Sequence, residues 1–311
     1  MPTSFQPSPA ATAFLPPHAD ELRARALARV ATGTAAVRAL MPDQHRDFFR
    51  QLPLVFVGAA DGRGWPIATV LHGAPGFIGS PAPDTLRIAA LPGGDDPAGD
   101  GLRAGGEIGL LGLDLATRRR NRANGRLVAV DDGLTVRVSQ SFGNCPQYIQ
   151  RRTVQPASRD PGRVERLDRL DDEARVVIAG ADTFFVASRS RAEAGPQGGF
   201  DISHRGGRPG FVGVQGGTLA VPDFRGNRYF NTLGNLLGDD RAGLLFVDFA
   251  TGDALQVQGR VAIDWQPTGG PAGAERLWRI EVEQAWRRRR ALPFAWAFVD
   301  YAPTTLASGA W

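Results

Sequence analysis

The five residues "GRPGF", 207 to 211, are nearly repeated as "GAPGF", 73 to 77, at an offset of 134. Proline followed by glycine marks a sharp corner, because proline presets φ near −65° and glycine accepts positive φ. At the same offset "LGLDLAT" (111 to 117) meets "LFVDFAT" (245 to 251), and Gly125-Arg126 meets Gly259-Arg260. Three blocks in one register describe a chain written twice. Upstream, "LPLVFVGAADGRG" from Leu52 parallels "ADTFFVASRSRAEAGPQGG" from Ala181, with about five extra residues in the second hairpin loop.

Each half is expected to open with a helical segment, residues 20–40 and 163–180, and to continue as short strands. In "DALQVQGRV" (253 to 261), Leu255, Val257 and Val261 point one way while Gln256, Gln258 and Arg260 point the other, the alternation of a half-buried antiparallel strand. Short strands with glycine-rich corners, preceded by a helix, predict a small closed or split β-barrel in each half. The chain has no βαβ alternation and no G-x-G-x-x-G after a strand, which argues against a dinucleotide-binding sheet. The fold class expected is mainly β with flanking helices, α+β. Its divisions are a mobile Pro-rich stretch 1–17, a first barrel 18–155 and a second barrel 156–311 with a C-terminal extension.

Composition narrows the function. With 311 residues and 42% hydrophobic content, the chain can form two ordinary cores. Its apolar runs are too short to span a bilayer and its N-terminus lacks a signal-peptide pattern, so a cytoplasmic protein without membrane association is expected. One cysteine, Cys145, and four histidines without ligand spacing argue against a disulfide framework or a metal site. Lysine is absent, which excludes a P-loop lysine and any Schiff-base chemistry. A pI near 10.1 with a net charge of only +4 suits anionic small molecules held by arginine forks. Interspersed carboxylates and the lack of stacking motifs argue against nucleic acid.

The richest polar stretch is "FDISHRGGRPGFVGVQGGTLAVPDFRGNRYFNTLGNL", 200 to 236. Alternation places Asp201, Ser203 and Arg205 on one strand face, and Ile202 and His204 on the other. "RGNRYFNTLGNLL" is read as opening a helix with Arg225, Asn227 and Arg228 in its first turn, where backbone N–H groups, the helix dipole and guanidinium forks would converge on a phosphate. Asn231 and Asn235, spaced i, i+4, could read a polar ring edge or cap the adjacent loop.

The order "SHRGGRPGF", "TLAVPD", "RGNR", "NTLGNL", "GLLFVDF" and "LQVQGR" resembles the pyridoxamine 5'-phosphate oxidase-like flavoproteins, the FMN-binding split-barrel family. The likeness is to its predicted flavin-nucleotide-binding branch, over residues 165 to 265 and more loosely over 40 to 152. It implies two tandem split barrels with FMN as cofactor. The strand bearing Ser203, His204 and Arg205 would then lie along the flavin, with Asp223 ending the next strand. Asn227 and Arg228 stand where the oxidases carry a basic pair on the FMN phosphate. Asn227 replaces an expected cation, so the grip would rest on Arg228 with Arg205 or Arg225 assisting. The substrate-binding residues of the true oxidases are missing, which speaks against pyridoxamine phosphate oxidation.

The first copy sets "AALPGGDDPAGDG" (89 to 101) opposite that cationic stretch. A carboxylate about 4 Å from a phosphate costs roughly 1 kcal/mol per charge pair in water and about 4 at a protein surface, so Asp95, Asp96 and Asp100 would repel the dianion. Strand parity makes Arg120, Arg122 and Asn124 counterparts of Ala254, Gln256 and Gln258, facing away from the barrel core. Family dimers place the flavin between two barrels, which makes that strand a candidate wall of the pocket in the second copy, with a solvated face as the alternative. The pairing would be an intramolecular pseudo-dimer or a homodimer. "WRRRR" (286 to 290) is read as a solvated face. Cys145 is read as structural or lining the site, and His204 as a buried hydrogen-bonded ring, a proton donor or a haem ligand. The expected function is an FMN-dependent oxidoreductase acting on a small molecule, with a flavin- or haem-binding protein without turnover as the alternative. Whether the chain is an enzyme stays open.

Overall fold

The computed structural model describes residues 14–31, 35–157 and 162–311. Most of the expected mobile N-terminal stretch lies outside these. Within them the Leu15 N–H already donates to the Val37 carbonyl at 2.7 Å.

Helix α1 (Ala19–Leu27) and helix α2 (Asp43–Gln51) precede seven strands: β1 (Leu54–Ala60), β2 (Pro66–His72), β3 (Ile78–Ala82), β4 (Thr85–Ile88), β5 (Glu107–Asp114), β6 (Arg119–Val130) and β7 (Leu134–Gly143). Strands β8 (Arg151–Pro156) and β9 (Val164–Leu167) and helix α3 (Asp172–Gly180) lead into the second half. There follow β10 (Thr183–Arg189), β11 (Phe200–Gly206), β12 (Gly213–Gln215), β13 (Thr218–Phe224), helix α4 (Asn231–Gly238), β14 (Arg241–Val247), β15 (Ala254–Asp264) and β16 (Ala274–Arg288). Strand β17 (Phe294–Asp300) pairs with β8 as a separate ribbon, and α5 (Pro303–Leu306) closes the chain.

The first sheet runs β2-β1-β5-β6-β7-β4-β3 and the second β11-β10-β14-β15-β16-β13-β12, the same order strand for strand. The mainly β architecture is therefore as expected. The helix assignment for the first half is not. Helix α1 ends at Leu27, and the element matching α3 is α2, "DQHRDFFRQ", at the 129-residue offset that separates Thr183 from Leu54. Helix α1 instead packs across α4, with Ala24 buried in the core of the second sheet.

The two Pro-Gly corners are equivalent in detail. Phe77 N–H bonds the Ala74 carbonyl and Phe211 N–H the Arg208 carbonyl, both at 2.9 Å. Gly76 and Gly210 supply the positive φ, 93° and 86°, that a proline-led turn with glycine third requires.

Period-2 alternation explains three cores. In β1, Val55, Val57 and Ala59 face the first core, whereas Leu54 and Phe56 face a shared one. In β10, Phe184 and Val186 face the second core, and Phe185 and Ala187 the shared one. Strands apolar on both faces read as unbroken hydrophobic runs, and each sheet buries its outer face against the other. Phe56 and its counterpart Phe185 stack at 3.5 Å between centroids. Glycines let the backbones cross: a Cβ on Gly109 would lie 2.8 Å from Asp201 Cα, and one on Gly243 would lie 2.6 Å from Ile67 Cα. Both pairs are related by 134, so the halves meet about a pseudo-twofold axis.

Candidate functional site

A narrow slot opens where β6 of the first half approaches β11, the edge strand of the second sheet. Among its lining residues are Arg120, Arg122, Ser203, His204, Arg205, Asp223, Asn227, Arg228 and Asn231, nine of the twelve residues singled out in the sequence. Arg120 and Arg122 arrive from the first half, are 9% and 6% exposed, and are therefore no solvated face. Arg122 donates to Asp201 at 2.8 Å and to Ser203 Oγ at 2.6 Å. Arg120 donates through Nε to the Cys145 carbonyl at 2.9 Å, and its Nη1 lies 3.2 Å from His204 Nδ1.

The other three take different places. Asn124 donates to Gln140 and to Asp201, at 3.0 and 3.2 Å, behind the slot. Asn235 donates to Ser188 Oγ at 3.1 Å and lines the same small recess as Asn124, so it reads no ring edge from there. Arg225 is exposed, and its carbonyl accepts the Tyr148 hydroxyl at 3.1 Å. Helix α4 starts at Asn231 and not at Arg225: Arg228 and Phe230 adopt left-handed φ of 59° and 65°, which breaks the helical path before it.

That late start leaves α4 with no side-chain cap at Phe230, so its first N–H groups need partners from elsewhere. Asn231, Thr232 and Leu233 line the slot, which puts the positive end of the dipole there. Arg276 on β16, which sequence reading missed, enters because Asp223 of β13 pairs with it across the sheet. Asp223 is clamped between Arg276 Nε at 2.7 Å and Arg205 Nη1. Arg205 also lies 4.5 Å over the Trp278 ring. Five arginines against one aspartate line the slot. The enclosed space is about 90 Å³, the size of a phosphate group and well below the roughly 300 Å³ at which pockets for whole small ligands begin.

Charge sets the protonation states. Burial, reinforced by Arg120 and Arg205, pushes His204 well below the usual imidazole range, so the ring is neutral and accepts from Arg120. Burial also lowers Arg120, to about 10, which leaves it cationic at neutral pH. Burial and the nearby Glu275 raise the Tyr148 phenol, which stays protonated. Buried polar atoms without a partner include Arg122 Nε, Arg205 Nε and His204 Nε2. Five guanidinium side chains beside an uncapped helix N-terminus fit a phosphate monoester.

Arg287 and Arg288, read as solvated, are 6% and 8% exposed. Arg287 pairs with Glu165 and Asp171, and Arg288 with Asp96. Carboxylates from distant segments reach them, which local charge patterning does not show. Among the described residues, no cluster of three His, Cys, Asp or Glu is placed to hold a metal ion, and no helix is long and apolar enough to cross a membrane.

No protein-family model and no curated protein matches the chain. Solved structures do match. HupZ from Group A Streptococcus is 14% identical with a TM-score of 0.29, covering 37% of this chain and 91% of that one. A FAD-binding protein from Mesorhizobium loti is 13% identical with a TM-score of 0.27, covering 40% and 96%. An F420 reductase is 13% identical with a TM-score of 0.23, covering 34% and 90%. Each of these three spans most of the other protein and less than half of this chain, at identities that assign no activity.

Proposed function

We propose that the slot anchors the phosphate of FMN and that the chain is a flavoprotein of the pyridoxamine 5'-phosphate oxidase-like type, two split barrels paired within one chain, acting as an oxidoreductase on a small molecule. The supporting observation is the slot itself, with the uncapped α4 N-terminus, Arg205, Arg228 and Arg276 on one side and Arg120 and Arg122 from the other half opposite. A bound flavin would supply the redox chemistry, exchanging hydride or electrons with a donor and an acceptor. The protein's part is anchoring and desolvation. Asp223 is locked between two guanidiniums and His204 is neutral against Arg120, so neither is free to serve as a base. Since the space takes little more than a phosphate, these residues would hold the phosphate end of the cofactor, with Arg122 already fixed on Ser203.

Titration of flavin-free protein with FMN and riboflavin tests the reading. FMN should bind at one per chain and at least about tenfold more tightly than riboflavin, the worth of a charge-assisted hydrogen bond. Equal affinities would remove the phosphate anchor. A ratio of two would mean a second working site, and a Soret band from purified protein would favour haem.

A further inference from the structure

Helix α1 stands outside the repeat. At the 129-residue offset that relates α2 to α3 it falls on residues 148–156, which hold strand β8 and no helix. It lies against α4, the helix whose first turn lines the open slot. A Cβ on Gly234 of α4 would come within 2.8 Å of Glu21 Cα, so only glycine admits the α1 backbone there. Beside the end of α4, Asp20 pairs with Arg191 at 2.7 Å. Beside its start, Arg25 Nη2 donates to the Tyr229 carbonyl at 3.3 Å, in the loop that leads into the helix.

Glu21 reaches the slot through one amide. It is 7% exposed, and its Oε1 accepts from Asn231 Nδ2 at 2.5 Å while Oε2 accepts from the His18 N–H at 3.1 Å. Asn231 Oδ1 in turn accepts from Arg122 Nη1 at 3.4 Å. A guanidinium only donates and a carboxylate only accepts, so both neighbours demand the same orientation of the amide between them. Reversed, it would set an NH2 group against Arg122 and an oxygen against Glu21. Burial raises the Glu21 carboxyl, opposed by His18 and by the Asn231 amide, and the N–H donors on both oxygens favour the carboxylate.

Asn231 is the first residue of α4, so holding its side chain holds the turn that lines the slot. Donors fixed beforehand lose less freedom when an anion arrives. At the repeat offset of 134, Asn231 falls on Pro97, which has no side-chain amide to orient. We infer that Glu21 is a positioning residue of the anion slot, fixing the Asn231 amide so that its oxygen faces Arg122 and the first turn of α4 stays at the slot. This role presupposes that the slot takes a phosphate.

Fluorescence titration of the flavin-free full chain with FMN, and the rise in melting temperature given by inorganic phosphate, read the slot. Glu21→Ala should weaken FMN about tenfold, and Glu21→Gln, whose amide oxygen can still accept from Asn231, by no more than about threefold. Glu21→Met fills the same volume without an acceptor and replaces the alanine variant if that one does not fold. Glu21→Ala combined with Asn231→Ala should bind no more weakly than Asn231→Ala alone, because the first residue acts through the second. Asp20→Ala loosens the same helix crossing beside the end of α4, and should lower the melting temperature without moving FMN affinity. Parent affinity in Glu21→Ala, additive losses in the double variant, or an equal loss in Asp20→Ala would each overturn the positioning role. A phosphate effect that follows the same order of variants in a chain that binds no FMN would uphold that role and overturn the flavin reading alone.

Discussion

Two clefts related by the 134-residue offset differ in what fills them. In one, Arg122 of β6 reaches Ser203 of β11. In the other, Gln256 of β15 reaches the Ala68 carbonyl of β2 beside Thr69, the counterpart of Ser203. The first slot is left open and cationic. The second is stoppered from within: Asp96, 3% exposed, accepts from Thr69, from Gln256 at 3.0 Å and from the Ala98 N–H at 3.0 Å, and pairs with Arg288 at 2.6 Å. A hydroxyl, an amide, a backbone N–H and a guanidinium around one oxyanion make an anion site whose anion is covalently built in. The acidic loop was expected to repel a phosphate. Instead that carboxylate is buried among donors within the cleft, which leaves no open cationic slot there.

The comparison breaks first at Asp96. Asp96→Ala should cost about 3–5 kcal/mol in urea unfolding, the toll of leaving Arg288 buried and unpaired. Inorganic phosphate should restore part of it while leaving the parent's stability unchanged, and no phosphate effect would mean that the second cleft is only a salt bridge. On the open side, Arg122→Gln copies the residue of the stoppered cleft and should weaken FMN by about 1.5–3 kcal/mol. Arg228→Ala should do the same with little change in stability, since this side chain is 39% exposed. Unchanged fluorescence titrations would take either residue out of the site.

The pseudo-axis can be probed at its crossings. Gly243→Ala and Gly109→Ala each place a methyl against backbone, at 2.5 Å from the Pro66 carbonyl oxygen and 2.8 Å from Asp201 Cα, and should cost about 1–3 kcal/mol by thermal unfolding. A cost at only one of them would show that the halves are not equivalently packed. The smallest effect expected is a pH slope. Burial, then Arg38 and Arg119, lower His45 to about 4, while the unfolded ring protonates near 6.5. Its contribution is therefore complete above pH 6.5 and is lost as pH falls toward 4. His204 acts in the same direction. Comparing parent with His45→Gln between pH 7 and 4.5 should show a shallower decline in the variant.

Much of this was legible because it is written locally and twice. The corners, the paired strands β2/β11, β5/β14 and β6/β15, and the parity that sends Arg120 and Arg122 outward all follow from one register. Illegible features depend on partners far along the chain. Arg276 joins the slot only because β13 pairs with β16, and Arg288 leaves solvent only because Asp96 reaches it. The start of α4 was misread because two residues with side chains, Arg228 and Phe230, take backbone angles usually left to glycine. Helix α2 was passed over because its nine residues carry few apolar positions, Phe48 and Phe49 being the buried ones besides His45.

The Phe56–Phe185 stack joins two positions that are equivalent in the repeat but need not stay identical. In an assembly of two separate identical chains, every substitution is expressed on both sides of the axis, so a carboxylate that stoppers one cleft stoppers its mate. Tethering the halves in one polypeptide removes that constraint, and dilution no longer separates them. One side is then free to turn its vacant slot into a structural joint, holding the scaffold steady for the side that keeps its slot open.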